Sequence, residues 1–474
     1  MTPKAFPLVF GVALLVGGCT LGPNHQRPPV PVPSGWRDAA ATATDAANPA
    51  NLANTPWWEL FRDPKLQALI EIALEENKDL LIAAERILEA RASLGFVRAD
   101  FFPQIAGSVT FANETPDSLI LDGNWEIDVF GRIRRATEAE RALLVATEEV
   151  RRAVTISLVA SVARSYIELR DFDLRLEIGR RTLESRAKSV DLARVRFTGG
   201  LTSEKDFRQA EAEYRRIEVF VLDFERLVSQ KENEISVLLG RNPAEVVRGR
   251  SLPELPVAVE VPAGLPSELL DRRPDLRAAE ERLHAATADV GAAKALLFPR
   301  IALTGQYGGV STNLDQLFTD PSQSWSIAAG LLQPIFQGGR NLSRVRIAES
   351  RMRQSLSRYE GSVLQAFRDV EDTLIAFRKT GEQRVAQRAR VEAERKGLHL
   401  SEVRYSGGVT DYLEVLDAQR SLFSAELDEV QTIAAQLISL VELYKSLGGG
   451  WPTGSEVAAT AATTEAAPPV FPGS

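Results

Sequence analysis

One cysteine in 474 residues, Cys19, rules out any internal disulfide, so the folded chain depends on burial and assembly alone. Three histidines, His25, His284 and His399, lie far apart in the sequence. No His/Cys/Asp/Glu spacing has the form of a zinc, calcium or haem site, so no metal or other cofactor is expected. Glycine-rich runs such as Gly305-Gln306-Tyr307-Gly308-Gly309 lack the Lys-Ser/Thr step of a phosphate loop, and the plentiful carboxylates sit on helical stretches as solubilising charge. An enzyme is therefore not expected. An excess of positive charge is also missing. With 56 basic against 64 acidic residues the net charge is −8, which argues against a nucleic-acid partner. No apolar run reaches the roughly 18 residues that a membrane-spanning helix needs.

What is present begins with a processing signal. Lys4 precedes an apolar run over 6–16, too short to span a bilayer, and Val16-Gly17-Gly18-Cys19 follows it. This resembles a bacterial lipoprotein box, which implies a signal peptide over 1–18 and a covalent lipid on Cys19. Thr20 stands where an Asp would resemble an inner-membrane retention signal. Residues 19–55 are rich in Pro, Ala, Asn and Thr and read as an extended tether. Residues 453–474 read as a disordered tail. A proline-rich linker over 241–266 separates two halves, 56–240 and 267–452.

The halves repeat one another. Asn77-Lys78-Asp79-Leu80 with Ala83, Glu85 and Arg86 recurs as Arg273-Pro274-Asp275-Leu276 with Ala279, Glu281 and Arg282. Ala99, Phe102-Pro103 and Ile105 match Ala295, Phe298-Pro299 and Ile301, and Val195-Arg196-Phe197-Thr198-Gly199-Gly200 returns as Val403-Arg404-Tyr405-Ser406-Gly407-Gly408. A duplication of this kind places two copies of one unit side by side. Each copy holds a long proline-free stretch, 132–197 and 340–405, which as a continuous helix runs to roughly 100 Å. Shorter helices over 66–101, 203–239, 267–297 and 411–447 complete six. A narrow apolar stripe through Leu143, Val150, Val154, Leu158, Tyr166, Leu169 and Leu176 suits helix-on-helix packing in a bundle or tube.

Strand patterns lie between the helices, at about 103–113 and 119–129 in the first copy and about 299–309 and 324–336 in the second. Leu119, Leu121, Trp125, Ile127 and Val129 alternate with Asp122, Asn124, Glu126 and Asp128. Ile301, Leu303 and Tyr307 alternate with Thr304 and Gln306, and Trp325, Ile327 and Leu331 with Ser324 and Ser326. Apolar-out and polar-in over about 11 residues is the pattern of tilted strands around a water-filled barrel, with Asp122, Asn124, Glu126 and Asp128 facing the lumen. The same pattern is also read as four strands of a soluble sheet half-buried against the helices. Four strands cannot close a barrel, and an open edge in hydrocarbon leaves backbone groups unpaired. Eight strands from two chains would fill their own interior, whereas twelve from three leave a lumen.

Together these segments resemble the outer-membrane efflux protein family of TolC-like channels, in its lipoprotein branch. The marks are Cys19-Thr20-Leu21-Gly22-Pro23, Trp57-Trp58 with Phe61 and Asp63-Pro64, the segment 77–80, Trp125-Glu126-Ile127-Asp128-Val129-Phe130-Gly131-Arg132, Asp271-Arg272-Arg273-Pro274-Asp275-Leu276, and Pro334-Ile335-Phe336 with Gly338-Gly339-Arg340. The resemblance implies an α+β membrane protein: a homotrimer whose long helices form a periplasmic α-barrel and whose strands form a twelve-stranded outer-membrane β-barrel. It implies an energy-independent exit duct of a tripartite efflux pump, docked to a periplasmic adaptor and an inner-membrane transporter, often of the RND type. It also implies a periplasmic aperture at Tyr405, Glu414 and Asp417, and adaptor-contacting turns at Gly199, Gly200, Gly407 and Gly408. Thr410 stands where some members carry an arginine. Those carboxylates also fit a solvated helix face, the glycine pairs also fit turns without a partner, and a lipid-anchored periplasmic scaffold or adaptor remains the competing reading of the whole chain. The connection at 113–117 is short and that at 309–323 long, so the second copy's loop is expected to guard the outer mouth.

Overall fold

The computed structural model describes residues 20–37, 62–111, 116–255 and 266–449. The signal segment, Cys19, Trp57, Trp58, Phe61 and the 453–474 tail lie outside them, as does most of the short 113–117 connection. In chain order the elements are α1 Pro64–Glu76, α2 Lys78–Arg98, β1 Gln104–Thr110, β2 Asp117–Ile127, α3 Arg132–Thr198, α4 Glu204–Leu238, α5 Leu269–Arg272, α6 Pro274–Ala295, β3 Arg300–Ser311, β4 Gln323–Leu332, α7 Arg340–Ser406 and α8 Tyr412–Ser446. The duplication is visible in lengths: α3 and α7 each have 67 residues, α4 and α8 each 35. No helix among the described residues is long and apolar enough to cross a membrane.

The helix expected over 66–101 is broken at Asn77. Asp63 caps α1 by accepting from the Lys65 amide at 2.9 Å, with Pro64 at the first helical position. Asn77 then leaves the helical region (φ −60°, ψ 130°) and its side chain accepts from the Leu80 amide at 3.1 Å, which starts α2. A short polar side chain that bonds its own downstream backbone competes with helix continuation. The second copy makes the same break by other means. Pro274 forces Arg273 into an extended conformation (ψ 117°), so the helix expected over 267–297 divides into α5 and α6.

Two compact units emerge, and neither coincides with a sequence repeat. Among the described residues, one comprises 20–31, 82–111, 116–151 and 274–363, the other 32–37, 62–81, 152–255, 266–273 and 364–449, so each draws on both copies. In the first, α3 and α6 meet through Ala139, Ala142, Ala285 and Ala288, small side chains that let two helices approach closely. The stripe read from sequence is out of register here: Leu143 is exposed, while Ala139, Ala142, Ala146 and Glu149 are buried. In the second unit the expected stripe holds from Leu158 on, with Leu158, Tyr166, Leu169 and Leu176 all buried, while Val154 is half-buried. Tyr166 is fully covered, donates to the buried Asp63 carboxylate at 3.0 Å and accepts from the Gly249 amide at 2.8 Å. Burial raises its pKa to about 12. Asp63 also accepts from the Arg250 amide at 3.0 Å, so one carboxylate caps α1 and fixes the start of the linker.

Candidate functional site: a two-faced sheet and two glycine turns

The first unit carries a single antiparallel sheet in the order β1-β2-β3-β4. Residues paired across antiparallel strands share a face. One face holds Ile105, Leu121, Trp125, Ile127, Leu303, Tyr307, Trp325, Ile327 and Leu331; the other holds Asp122, Asn124, Glu126, Thr304, Gln306, Ser324 and Ser326. Gln306 donates to Asp122 at 3.1 Å across the polar face. The apolar face is uncovered: Ile105, Trp325 and Ile327 are each about three-quarters exposed. In the sheet, β1 and β4 each pair on one side only. A soluble sheet half-buried against helices would cover that apolar face.

Asp122 and Asn124 sit within β2 on its polar face, as expected. Glu126 sits there too but is bound by Arg132 at 2.8 and 3.1 Å. Asp128 lies beyond the end of β2, a correction to its placement among the strand residues: it accepts from the backbone and side chain of Arg134 at 2.8 and 3.2 Å. These two carboxylates fasten the strand to the first turn of α3, where the helix dipole also favours an anion.

The second unit holds the two glycine turns. Gly200 and Gly408 adopt φ of +70° and +71°, conformations that β-carbon-bearing residues resist. Each ends its long helix in the same six-residue closure: Leu201 N to Arg196 O and Gly200 N to Phe197 O at 2.8 and 2.9 Å, Val409 N to Arg404 O and Gly408 N to Tyr405 O at 2.9 and 3.0 Å.

Tyr405, Glu414 and Asp417 are all close to the second turn, but each is already engaged. Arg196 donates to Tyr405 Oη at 2.6 Å and lies 5.2 Å from its ring centroid. Glu414 accepts from the Thr410 hydroxyl and pairs with Arg404 at 3.5 Å. Asp417 pairs with Arg420 at 3.2 Å, and Arg420 continues to Glu213 at 2.5 Å. Glu213 is buried and is shared with Arg216 at 2.9 Å. Burial opposes the Glu213 charge, yet the hydrogen bonds from Arg420 and Arg216 prevail and its pKa is lowered. Burial lowers the pKa of neighbouring Arg186, with Glu213 acting against it. A second shared carboxylate, Glu426, joins Arg181 of α3 to Arg395 of α7 at 2.9 and 3.4 Å.

The sequence did not single out Arg196, Glu213 or Arg420. A faint signal for the first was available: the copies align Phe197 with Tyr405, so only one member of the pair offers a hydroxyl.

A chain that carries a two-faced, open-edged sheet and two long helix pairs is matched by known proteins. The profile of the outer membrane efflux protein family covers residues 69–241 and 265–449. This chain belongs to that family. It is 35% identical over 463 residues to the outer membrane protein OprJ of Pseudomonas aeruginosa, covering 94% of this chain and 95% of that one. It is also 35% identical over 458 residues to the cation efflux system protein CusC of Escherichia coli, covering 94% and 98%. The open state of the Neisseria gonorrhoeae MtrE outer membrane channel superposes with a TM-score of 0.82 at 31% identity, covering 91% of this chain and 98% of that one. As an outer membrane efflux protein, the chain is an exit channel of an efflux pump and not an enzyme.

Proposed function

We propose that three copies of this chain close one twelve-stranded β-barrel in the outer membrane, with the polar face of each sheet lining a water-filled lumen. The observation that supports this most directly is the four-stranded sheet itself. It has two edge strands, one exposed apolar face and one polar face carrying Asp122, Asn124 and Gln306. Backbone groups on β1 and β4 must find partners in lipid, and only closure with further copies supplies them. Twelve strands are the smallest multiple of four that leaves an open interior.

The duct then serves a tripartite efflux pump, receiving cargo from a periplasmic adaptor and an inner-membrane transporter of the RND type. Its lipid anchor is a covalent lipid on Cys19. The turns at Gly199-Gly200 and Gly407-Gly408 are the adaptor contacts, and Tyr405, Glu414 and Asp417 form the periplasmic aperture, where threefold repetition makes two acidic rings. Opening requires the α7–α8 pair to leave the α3–α4 pair, so Arg196–Tyr405 and Arg420–Glu213 are the links that must break. Relatives bearing names such as cation efflux system protein and solvent efflux pump outer membrane protein handle different cargo, in keeping with a passive pore that takes its selectivity from the pump.

Single-channel conductance of the purified assembly in planar bilayers tests this reading. Discrete steps are expected, larger or less cation-selective in Glu414→Ala/Asp417→Ala. Steps unchanged in that variant would remove the acidic aperture and keep the pore. An inserted assembly that never conducts would overturn the channel.

A further inference from the structure

Beside the sheet, within the same compact unit, lies a cavity of about 660 Å³ that neither the pore nor the aperture uses. The volume is that of a small-molecule site. Its walls are the end of α2 and the turn after it (Arg98, Phe101, Phe102), one face of α3 (Arg134, Thr137, Arg141) and the Glu281–His284 turn of α6.

The charges in it divide into satisfied and unsatisfied groups. Glu138 is held by Arg135 at 2.8 Å and by His284 at 3.2 Å, Glu281 lies 3.3 Å from His284, and Arg134 is committed to Asp128. Arg98 and Arg141 have no hydrogen-bond or ion-pair partner among the described residues. Thr137 is buried at 7% exposure, and its hydroxyl has no hydrogen-bond partner among the described residues either. Arg98 and Arg141 are exposed, and two guanidiniums without a protein partner beside exposed Phe102 present anion-binding and apolar surface together.

Position decides the ligand. The Trp125 side chain belongs to the apolar face of β2, and its indole N–H donates to the Phe101 carbonyl at 2.9 Å. The Phe101–Phe102 turn is thus fixed at the end of the sheet on the side that faces lipid in the barrel reading, where aromatic residues gather at a membrane interface.

We infer that this cavity binds the phosphate headgroup of an anionic phospholipid from the inner leaflet of the outer membrane, with Arg98 and Arg141 on the phosphate and Phe101 and Phe102 against the acyl chains. The inference rests on the barrel reading above. A basic pocket at a membrane surface gains roughly fivefold in affinity per arginine for anionic over zwitterionic lipid.

Native mass spectrometry of the full chain, purified in mild detergent and supplied with phosphatidylglycerol or phosphatidylcholine, is the test. The expected result is retention of phosphatidylglycerol by the native chain. Arg98→Gln and Arg141→Gln should each weaken retention about fivefold, and the double variant should abolish the preference over phosphatidylcholine. Equal retention of both lipids, or no change in the double variant, would overturn the site. Displacement of the lipid by inorganic phosphate alone would assign the cavity to a free anion and overturn the lipid reading. If the native chain retains no lipid and the double variant falls apart into single chains, the cavity is a seat for a neighbouring copy. Carbonate extraction of the same membranes separates the two levels of argument. Native chain that stays in the membrane while failing the lipid test sinks only the site, whereas chain that extracts sinks the barrel reading and the site with it.

Discussion

At the residue scale, the informative feature is one buried carboxylate serving several arginines. Glu213 of α4 holds Arg216 of its own helix and Arg420 of α8, and its charge also favours the charged form of Arg186 of α3. Glu213→Gln removes the carboxylate that Arg216 and Arg420 share and should loosen α8 from α4 by about 1–3 kcal/mol, a figure kept low because Arg420 is substantially solvated and retains Asp417. Faster hydrogen exchange in 412–424 than in the native chain is the expected readout. The pH dependence has a definite sign. A carboxyl whose folded pKa is depressed contributes stability above its ordinary value, 4.5, and loses it as pH falls through the folded value. Conductance should therefore be insensitive to mild acid through this link, and the native chain should approach Glu213→Gln only well below pH 4.5. A native channel that opens between pH 7 and 6 in step with Glu213→Gln would refute that assignment.

At the element scale, local chemistry sets where helices stop and which way strands face. Gly408 at φ +71° is the closing residue of α7, so Gly408→Ala should destabilise the turn by about 1 kcal/mol or more. Reduced protection of 403–412, with the sheet unaffected, is the expected outcome. The sheet offers a paired experiment on adjacent residues. Ile327 lies on the apolar face and Ser326 on the polar face of β4. Ile327→Lys should cost about 2–4 kcal/mol of folding into lipid vesicles near the bilayer midplane, whereas Ser326→Lys should fold nearly normally. Equal penalties would contradict the assignment of faces.

At this scale the sequence was legible in its periodicities and silent where two residues compete. Alternation over 119–127 and 301–309 identified the strands and both faces, because a period of two survives without knowledge of neighbours. The break at Asn77 was missed because a single asparagine inside an apolar-periodic run carries no pattern, although its side chain both caps Leu80 and donates to Leu238 O at 2.8 Å. Asp128 looked like one more strand residue because the alternation continues one step past the ladder. Only the Arg134 contact shows that it belongs to the helix start.

For the whole molecule, the counting of strands makes the assembly measurable. Native mass spectrometry should find three chains per particle, and removing the edge pairing by placing a proline within β1, as in Ala106→Pro, should yield single chains that no longer conduct. A particle of two chains would leave an interior filled by side chains and would refute the pore.

The sequence by itself determined the inventory of this protein: two copies of one unit, helices of near-identical length in each, strands of bilayer length with opposed faces, and glycine turns at matching places. Those features are local, fixed by side-chain period, by proline and by glycine, and so can be read along a single line. Tertiary structure alone decided which strands are neighbours, since β2 of the first copy pairs with β3 of the second across 172 intervening residues between Ile127 and Arg300. It alone decided the charge pairs that matter, because a chain rich in arginine and glutamate offers hundreds of possible partners and only packing brings Arg196 to Tyr405 and Arg420 to Glu213. The physical reason is the same in both cases. Periodicity is a property of the chain, whereas ion pairs and sheet order depend on distances that exist only once the helices have packed.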